Sequence, residues 1–377
     1  MITNLNVIKN MYFNEVAKTT KNKQKIEKFS DYLSLNLVNI RNMLVNENVK
    51  FDKYIIFLIQ EPKYRLIMSQ TIKDKIINHL VAHNFVLDVF EPTFIDSNVA
   101  TRRGFGPSKG IKLLKRYINE LKRQNKKIYY LKCDIEKYFY NIDHEILKKI
   151  LRTKIKDLRA LRLLDQIIDS TNVYDISKDI EKVCNKEINR IKKLNISNHE
   201  KELKIKFLES IKHFKFKDKG IPIGNMTSQG FSVLYLNEFD HFVKEQMHQK
   251  YYIRYMDDII CLSTDKEELK KLKEIFNKKI YDDYRLKLNK KTQIGTVEQG
   301  LCFLGFNFKL QNNKLCIRLN SKTKIRFKRK IKKVKNKIKD NTLDRQKSQC
   351  IIGSYKGHLK FGNNYNLYNK TIRRIKV

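Results

Sequence analysis

The run Tyr255-Met256-Asp257-Asp258, set between the apolar stretches 251–253 and 259–262, is the strongest constraint on how this chain can fold. Alternation of Tyr251, Ile253 and Tyr255 ahead of the acids, and a β-rich run behind them, predicts strand, turn, strand. Two adjacent carboxylates at a hairpin tip repel and raise one another's pKa unless something neutralises them. A divalent cation is the natural compensator. Hard oxygen ligands suit Mg²⁺, and phosphoryl transfer uses a pair of such ions roughly 4 Å apart.

The chain carries its own control. Tyr281-Asp282-Asp283-Tyr284 repeats the acidic pair, but Lys278, Lys279, Arg285 and Lys287 flank it and no apolar strand lies on either side, so it reads as solvated surface. A two-metal site needs a further carboxylate at the end of another buried strand. Asp134 fits, because residues 128–133 form a mostly apolar strand running into it. Beyond it, Asp143 reads as the N-cap of a helix through Ile146, Leu147 and Ile150. A lone acid after a strand is more often a cap or turn residue than a ligand, and only the pairing with Asp257 reverses that preference.

In that order the blocks resemble those of a reverse transcriptase, the likeness running from about residue 60 to 365. The stretch from Ser97 to Ile111, with Ala100, Arg102, Gly104, Gly106 and Lys109, is similar to the fingers block of bacterial reverse transcriptases. Gly220-Ile221-Pro222-Ile223-Gly224-Asn225-Met226-Thr227-Ser228-Gln229, followed by Tyr235-Leu236-Asn237, resembles the loop and helix that hold template and incoming nucleotide. Leu288-Asn289-Lys290-Lys291-Thr292 resembles the block whose lysine lies near the triphosphate. Gly300-Leu301-Cys302-Phe303-Leu304-Gly305-Phe306 resembles the primer-grip hairpin, with Asn312-Asn313 as its turn.

The resemblance implies roles. Asp134, Asp257 and Asp258 are expected to be catalytic and, with Ile135, to hold Mg²⁺, for which Mn²⁺ can substitute. Lys63, Arg65 and Arg102 are expected at the triphosphate, since guanidinium and ammonium groups pair with phosphate oxygens. Lys291 is expected to protonate the leaving pyrophosphate, although a solvated lysine is as common in so basic a chain. Phe139, five positions after Asp134, falls where the family excludes a ribose 2′-hydroxyl, against the plain reading of a core aromatic. Gly224, Asn225 and Gln229 complete the nucleotide side. Phe303, Gly305, Lys328, Lys332 and Lys335 are expected to contact nucleic acid.

One departure stands out. Where many reverse transcriptases have Pro-Gln-Gly, this chain has Pro222-Ile223-Gly224, which removes a hydrogen-bonding side chain. The Ile-Gly-Asn-x-Thr-Ser-Gln form resembles the diversity-generating and defence-associated bacterial groups more than retrons, group II introns or retroviruses.

Charge supports a polyanionic partner independently. With 80 basic and 40 acidic residues the formal charge is +40, beyond what solubility requires. AT-biased codons would inflate lysine, but they do not explain clustering. Residues 322–339 hold eleven basic residues and no acid, with Phe327, Ile331, Val334 and Ile338 as one apolar stripe. A solvated helix would intersperse Glu with Lys. This one reads as a thumb helix lying on phosphates without reading sequence. Residues 354–368 resemble the tail of that thumb, and His358 is given no chemistry there.

Residues 170–220 exceed the compact family pattern and predict helices near 179–194 and 199–214, with a structured RNA, a neighbouring subunit or plain solvent as their counterpart. No apolar stretch of about 18 residues and no signal pattern occurs, so no membrane contact and a cytoplasmic location are expected. Six cysteines lack Cys-x-x-Cys spacing, so neither a zinc site nor a disulfide framework is suggested, and Cys133, Cys261 and Cys302 in apolar strands read as buried thiols. No ATPase-type phosphate loop is present.

The expected architecture is an α+β right hand: an N-terminal helical extension at 1–50, fingers at 51–127, a palm with an antiparallel sheet at 128–319 carrying the helical insertion at about 171–219, and a basic helical thumb at 320–377. The expected activity is RNA-directed DNA polymerisation with template RNA, a dedicated non-coding one, as partner, deoxynucleotides as substrates and DNA as product. Antiphage defence is the expected setting, with mutagenic copying in a diversity-generating retroelement as its rival; a homo-oligomer or accessory protein is a further expected partner. A non-catalytic RNA-binding scaffold is the alternative of another class. Three clustered carboxylates speak against it, because a decayed site has no reason to keep them.

Overall fold

The computed structural model describes residues 2–60, 64–102, 104–173, 176–214, 216–340 and 342–373. It is α+β, with three antiparallel sheets among many helices. The chain divides into two units, each assembled from three separate stretches: Met1–Phe94, Glu136–Phe239 and Ile280–Lys287 in the first, Ile95–Ile135, Asp240–Lys279 and Leu288–Val377 in the second.

The first unit holds one hairpin, β1 (Ile55–Ile59) and β2 (Arg65–Ser69). Its inner face joins a core built from Tyr54, Leu66, Met68 and Tyr140 together with the two helices of the 170–220 region. Those helices run Ser177–Lys192 and Asn198–Lys212, within two residues of the expected bounds. The first buries Ile180, Cys184, Ile188 and Ile191 at spacings of four, four and three, and the second starts where the Ser197 hydroxyl caps Glu200 N–H. The first helix thus pays its ordering entropy by burial against the hairpin, and the second by burying Leu208 and Ile211 in the same core beside the first. The insertion is therefore part of this unit's core and not a plain solvated hairpin. Asp143 caps the helix His144–Lys154 through Ile146 N–H at 3.1 Å, as expected.

Also in this unit, the helix Ile72–Val81 carries His79. Burial, reinforced by the neighbouring His83, pushes the His79 imidazole down to about 4. A depressed imidazole pKa favours the folded state above the unfolded value, about 6.5, and that contribution is lost as pH falls through about 4. We expect the His79 ring to titrate near pH 4 in an NMR series. A midpoint near 6.5 would mean that the ring is solvated.

The second unit contains a four-stranded sheet in the order β4-β5-β3-β6, with β3 (Tyr129–Asp134), β4 (Tyr252–Tyr255), β5 (Asp258–Ser263) and β6 (Gln293–Thr296). A meander of β7 (Leu301–Phe303), β8 (Phe306–Gln311) and β9 (Lys314–Leu319) follows. Its core runs from Leu114 and Ile118 on the helix Pro107–Lys122, through Ile253 and Ile260, to Phe303, Phe306 and Phe308 and on to Phe327 and Ile331.

The meander corrects two expectations. Asn312 and Asn313, both left-handed (φ 47° and 56°), turn β8 into β9. The β7–β8 hairpin turns instead at Leu304 and Gly305 (φ 47° and 87°), a primed turn that matches strand twist. Cys302 is exposed, because strand alternation sends Leu301 and Phe303 inward and the residue between them outward. Cys133 and Cys261 are buried as expected, and burial pushes the Cys133 thiol up to about 12. Among the described residues no helix is long and apolar enough to cross a membrane.

Candidate active site

In the second unit, β3 pairs with β5 so that Asp134 lies directly opposite Asp258, while Tyr255 faces Asp258 across the β4–β5 hairpin. Met256 and Asp257 form the tip, with Met256 left-handed at φ 57°. Residues opposed in an antiparallel ladder put their side chains on one face, and like charges placed so are destabilising. Asp134, Asp257 and Asp258 are all half-buried, which weakens water's screening of that repulsion.

The repulsion is partly met by Lys132, whose Nζ lies 3.4 Å from Asp258 Oδ1 and donates to the Cys302 carbonyl at 3.0 Å. Lys132 was missed by the sequence reading. The signal was available, since residues two apart on a strand share a face and Lys132 precedes Asp134 by two.

A buried network stands behind the tip. Arg254 and Asp240 are both fully buried and form a two-pronged ion pair, Nε to Oδ1 and Nη2 to Oδ2, each at 2.6 Å. Tyr252 Oη donates to Asp240 Oδ1 at 2.6 Å and Asn98 Nδ2 to Oδ2 at 3.1 Å, so the carboxylate is well satisfied. The third arm of Arg254, Nη1, donates to the Met256 carbonyl at 3.1 Å and holds the strained residue next to Asp257. The Arg254 backbone also exchanges bonds with Ser97 and Val99, joining the 95–106 loop to β4. An arginine inside an apolar strand demands a buried acid, and that demand was the readable clue to Asp240.

The Leu288–Thr292 block holds the end of β3. Asn289 N–H donates to the Asp134 carbonyl at 2.6 Å, and Asp134 N–H reaches Thr292 Oγ1 at 3.5 Å. Lys291 is exposed at the turn, its N–H on Asn289 Oδ1 at 3.0 Å. Ile135 is buried and bridges Leu288, so only its main-chain carbonyl is available as a metal ligand. Arg102 uses Nη1 on the Ile95 and Asn98 carbonyls at 2.9 and 3.3 Å and lies 3.8 Å above the Phe105 ring, which ties it to its own loop.

Phe303 requires a correction: at 1% exposure it is core, packed with Phe306 and Phe308, and presents no ring to nucleic acid. Strand alternation puts it on the inner face, and Leu304 and Gly305 take the turn. Lys328 and Lys332 are exposed and Lys335 is half-buried on the helix Ser321–Lys339, whose Phe327, Ile331 and Val334 face inward. The three line a groove with Lys324 and Lys370.

In the first unit, Arg65 is exposed at the start of β2, and Lys63 lies outside the described residues. Phe139 is half-buried between the buried Tyr138 and Tyr140. Its carbonyl accepts from Ile221 N–H at 2.8 Å, and Ile223 accepts from Met68 N–H at 3.0 Å, so the 220–225 loop is stitched to both segments. Asn225, buried, donates to Tyr54 Oη at 2.9 Å, while Gln229 is exposed on the helix Met226–Leu234.

Gly224 has φ 137°, and a Cβ there would sit 2.9 Å from the Met68 carbonyl. Replacing it with Ala is expected to cost about 1–3 kcal/mol of stability through backbone strain, read as a shift in the urea midpoint. An unchanged midpoint would show that the loop relaxes freely.

For a divalent cation the donor set is suitable but incomplete. Among the described residues no three His, Cys, Asp or Glu side chains form a ready metal cage. Two or three carboxylates and a carbonyl would fill part of a Mg²⁺ shell, and that ion ordinarily takes the rest from water and substrate phosphates.

The family model described as Reverse transcriptase (RNA-dependent DNA polymerase) matches residues 59–308. No curated protein matches. Among solved structures, apo telomerase from Candida tropicalis is similar at a TM-score of 0.43 and 15% identity, over 73% of this chain and 49% of that one. Telomerase from Candida albicans in complex with a TWJ fragment of telomeric RNA gives 0.40 and 15%, over 71% and 45%. The chain spans about half the length of these structures.

Proposed function

The chain belongs to the reverse transcriptase (RNA-dependent DNA polymerase) family, and from that premise we propose that it synthesises DNA on an RNA template. The observation that carries the reading is the register that sets Asp134 opposite Asp258 with Asp257 at the adjoining tip. Family members use divalent metal ions, and here we take the ion to be Mg²⁺. Asp134, Asp257 and the Ile135 carbonyl would hold it, with Asp258, shared with Lys132, in a lesser part. When bound, the ions activate the primer 3′-hydroxyl and neutralise charge on the leaving pyrophosphate.

The remaining roles follow from side-chain chemistry. Arg65 and Lys63 would pair with triphosphate oxygens. Arg102, committed to loop carbonyls, would act by shaping the 95–106 loop. Lys291, exposed in its turn, is the candidate proton donor to pyrophosphate. Phe139 would exclude a 2′-hydroxyl, with Gly224, Asn225 and Gln229 positioning nucleotide and template. We read residues 51–127 as fingers, 128–319 as palm and 320–377 as thumb. Gly305 and the lysine row of the last helix would track the duplex backbone.

That row gives a direct expectation. Binding to an RNA–DNA duplex should weaken steeply with salt, and each of Lys328, Lys332 and Lys335 changed to Gln should lower the log–log salt slope by about one. A slope unaltered by all three would place the duplex elsewhere.

We take the setting to be antiphage defence and the template to be a dedicated non-coding RNA, on the resemblance of the Ile223–Gln229 stretch to defence-associated enzymes. The test is deoxynucleotide incorporation by the purified protein with Mg²⁺, co-purifying RNA left in place, wild type against Asp257→Asn. DNA made only by the wild type supports the reading. A product that is a mutated copy of a genomic repeat would favour the diversity-generating role, and no product from either protein, with Mn²⁺ also tried, would favour an RNA-binding scaffold.

A further inference from the structure

Strand β1 is apolar at all five positions and, among the described residues, is paired on one side only. The register identifies the groups left over. Met68 N–H donates away from β1, to Ile223, and Met68 faces Ile56 across the ladder. Opposed pairs alternate between those that exchange hydrogen bonds and those that do not, so Ile56↔Met68 and Leu58↔Leu66 are of the second kind. The N–H and C=O groups of Ile56 and Leu58 therefore point out along the open edge. Among the described residues no hydrogen bond is made to them.

Along this edge runs a groove of about 680 Å³ whose far wall is the helix Ser177–Lys192 and its cap. Val183, Lys186, Arg190 and Lys193, at spacings of three, four and three, form that wall. Among the described residues Glu187 is the groove's one acid, and it is engaged by Tyr64, Gln60 and Arg190 at 2.8, 3.0 and 3.5 Å. Lys186 and Lys193 pair with no carboxylate among the described residues. Natural edge strands are usually blunted by charge or proline, yet β1 has neither, and Ile55, Phe57 and Ile59 are each more than two-fifths exposed.

We propose that this groove docks an extended acidic segment of a partner protein, which adds to β1 as a third strand with carboxylates against Lys186, Arg190 and Lys193. Alternating donors and acceptors at strand spacing complement a peptide backbone and not a phosphodiester one. A second copy of the chain would offer its own β1, wholly apolar, and leave the basic wall unanswered. The inference is independent of polymerase activity.

The probe is a labelled nine-residue peptide alternating Glu and Val, followed by fluorescence anisotropy with the full chain. A net charge of +40 attracts any acidic peptide, so the deciding comparison is the same sequence with every amide N-methylated. Expected is saturable binding that falls at least tenfold on methylation, about 1.4 kcal/mol, and similarly in Lys186→Glu/Lys193→Glu. Leu58→Pro removes an outward N–H without breaking a ladder bond and should act alike. The exposed lysine pair keeps the test valid if the proline variant fails to fold. Equal binding of the methylated peptide, no saturation by about 1 mM, or displacement by oligouridine whose own binding needs the same lysines would overturn the proposal, the last outcome making the groove a nucleic-acid site.

Discussion

Changing Asp240 to Ala is expected to lower folding stability by about 3–5 kcal/mol, the penalty for leaving one member of a buried ion pair alone. Arg254 cannot escape by losing its proton, since guanidinium stays charged at any ordinary pH. It would stay charged and desolvated where three bonds to Asp240 and Met256 now hold it, and Tyr252 and Asn98 would each lose an acceptor. Urea denaturation of wild type and variant gives the difference. A loss under about 1 kcal/mol would mean that water reaches the site. The double change Asp240→Leu/Arg254→Met separates two roles. Apolar replacement of both partners removes the stranded charge and leaves only Tyr252 and Asn98 without an acceptor, at about 1–3 kcal/mol each, so the double variant should be more stable than Asp240→Ala yet polymerise poorly, because nothing then fixes the Met256 carbonyl beside Asp257.

The second large effect is on rate. Asp257→Asn keeps size and shape but removes a full charge from the face proposed to hold the metal, and metal-assisted charge stabilisation is worth several kcal/mol. Incorporation should fall on the order of 10³-fold or more. Stability should hold or rise, since one of three crowded negative charges is gone. Steady-state extension assays and a thermal melt on one preparation decide it. Slow extension with a lowered melting temperature would point to damage to the hairpin and not to lost metal binding.

Much of this was legible in the chain. Strand periodicity, the Asp143 cap and the helices of the 170–220 region could be read because each is set by neighbours within a few residues. What could not be read depends on partners far along the chain. Cys302 was judged from the apolar character of its stretch and Phe303 from the resemblance of its block to a primer-grip hairpin, whereas their fates depend on which face of β7 turns inward, a matter of register. Asn312-Asn313 was recognised as a turn but given to the wrong pair of strands, since a turn signal does not say which earlier strand its hairpin joins. Arg254 in an apolar strand signals that a buried acid faces it, but which acid, Asp240 fourteen residues back on another element, lies beyond the reach of any local pattern.

The interleaving of the two units carries its own consequence for biosynthesis. The first unit's final piece ends at Lys287, while the second unit needs residues up to Val377. On the ribosome the first can close once residues through Lys287 have emerged, whereas the second still lacks β6 beside β3 and the core residues from Leu301 onward. Non-local pairing of that kind is slow, and domains tend to fold in order of emergence. A nascent chain emerged only as far as Lys287 would therefore present a finished first half and an aspartate strand paired with β5 but with its other edge, later taken by β6, still open.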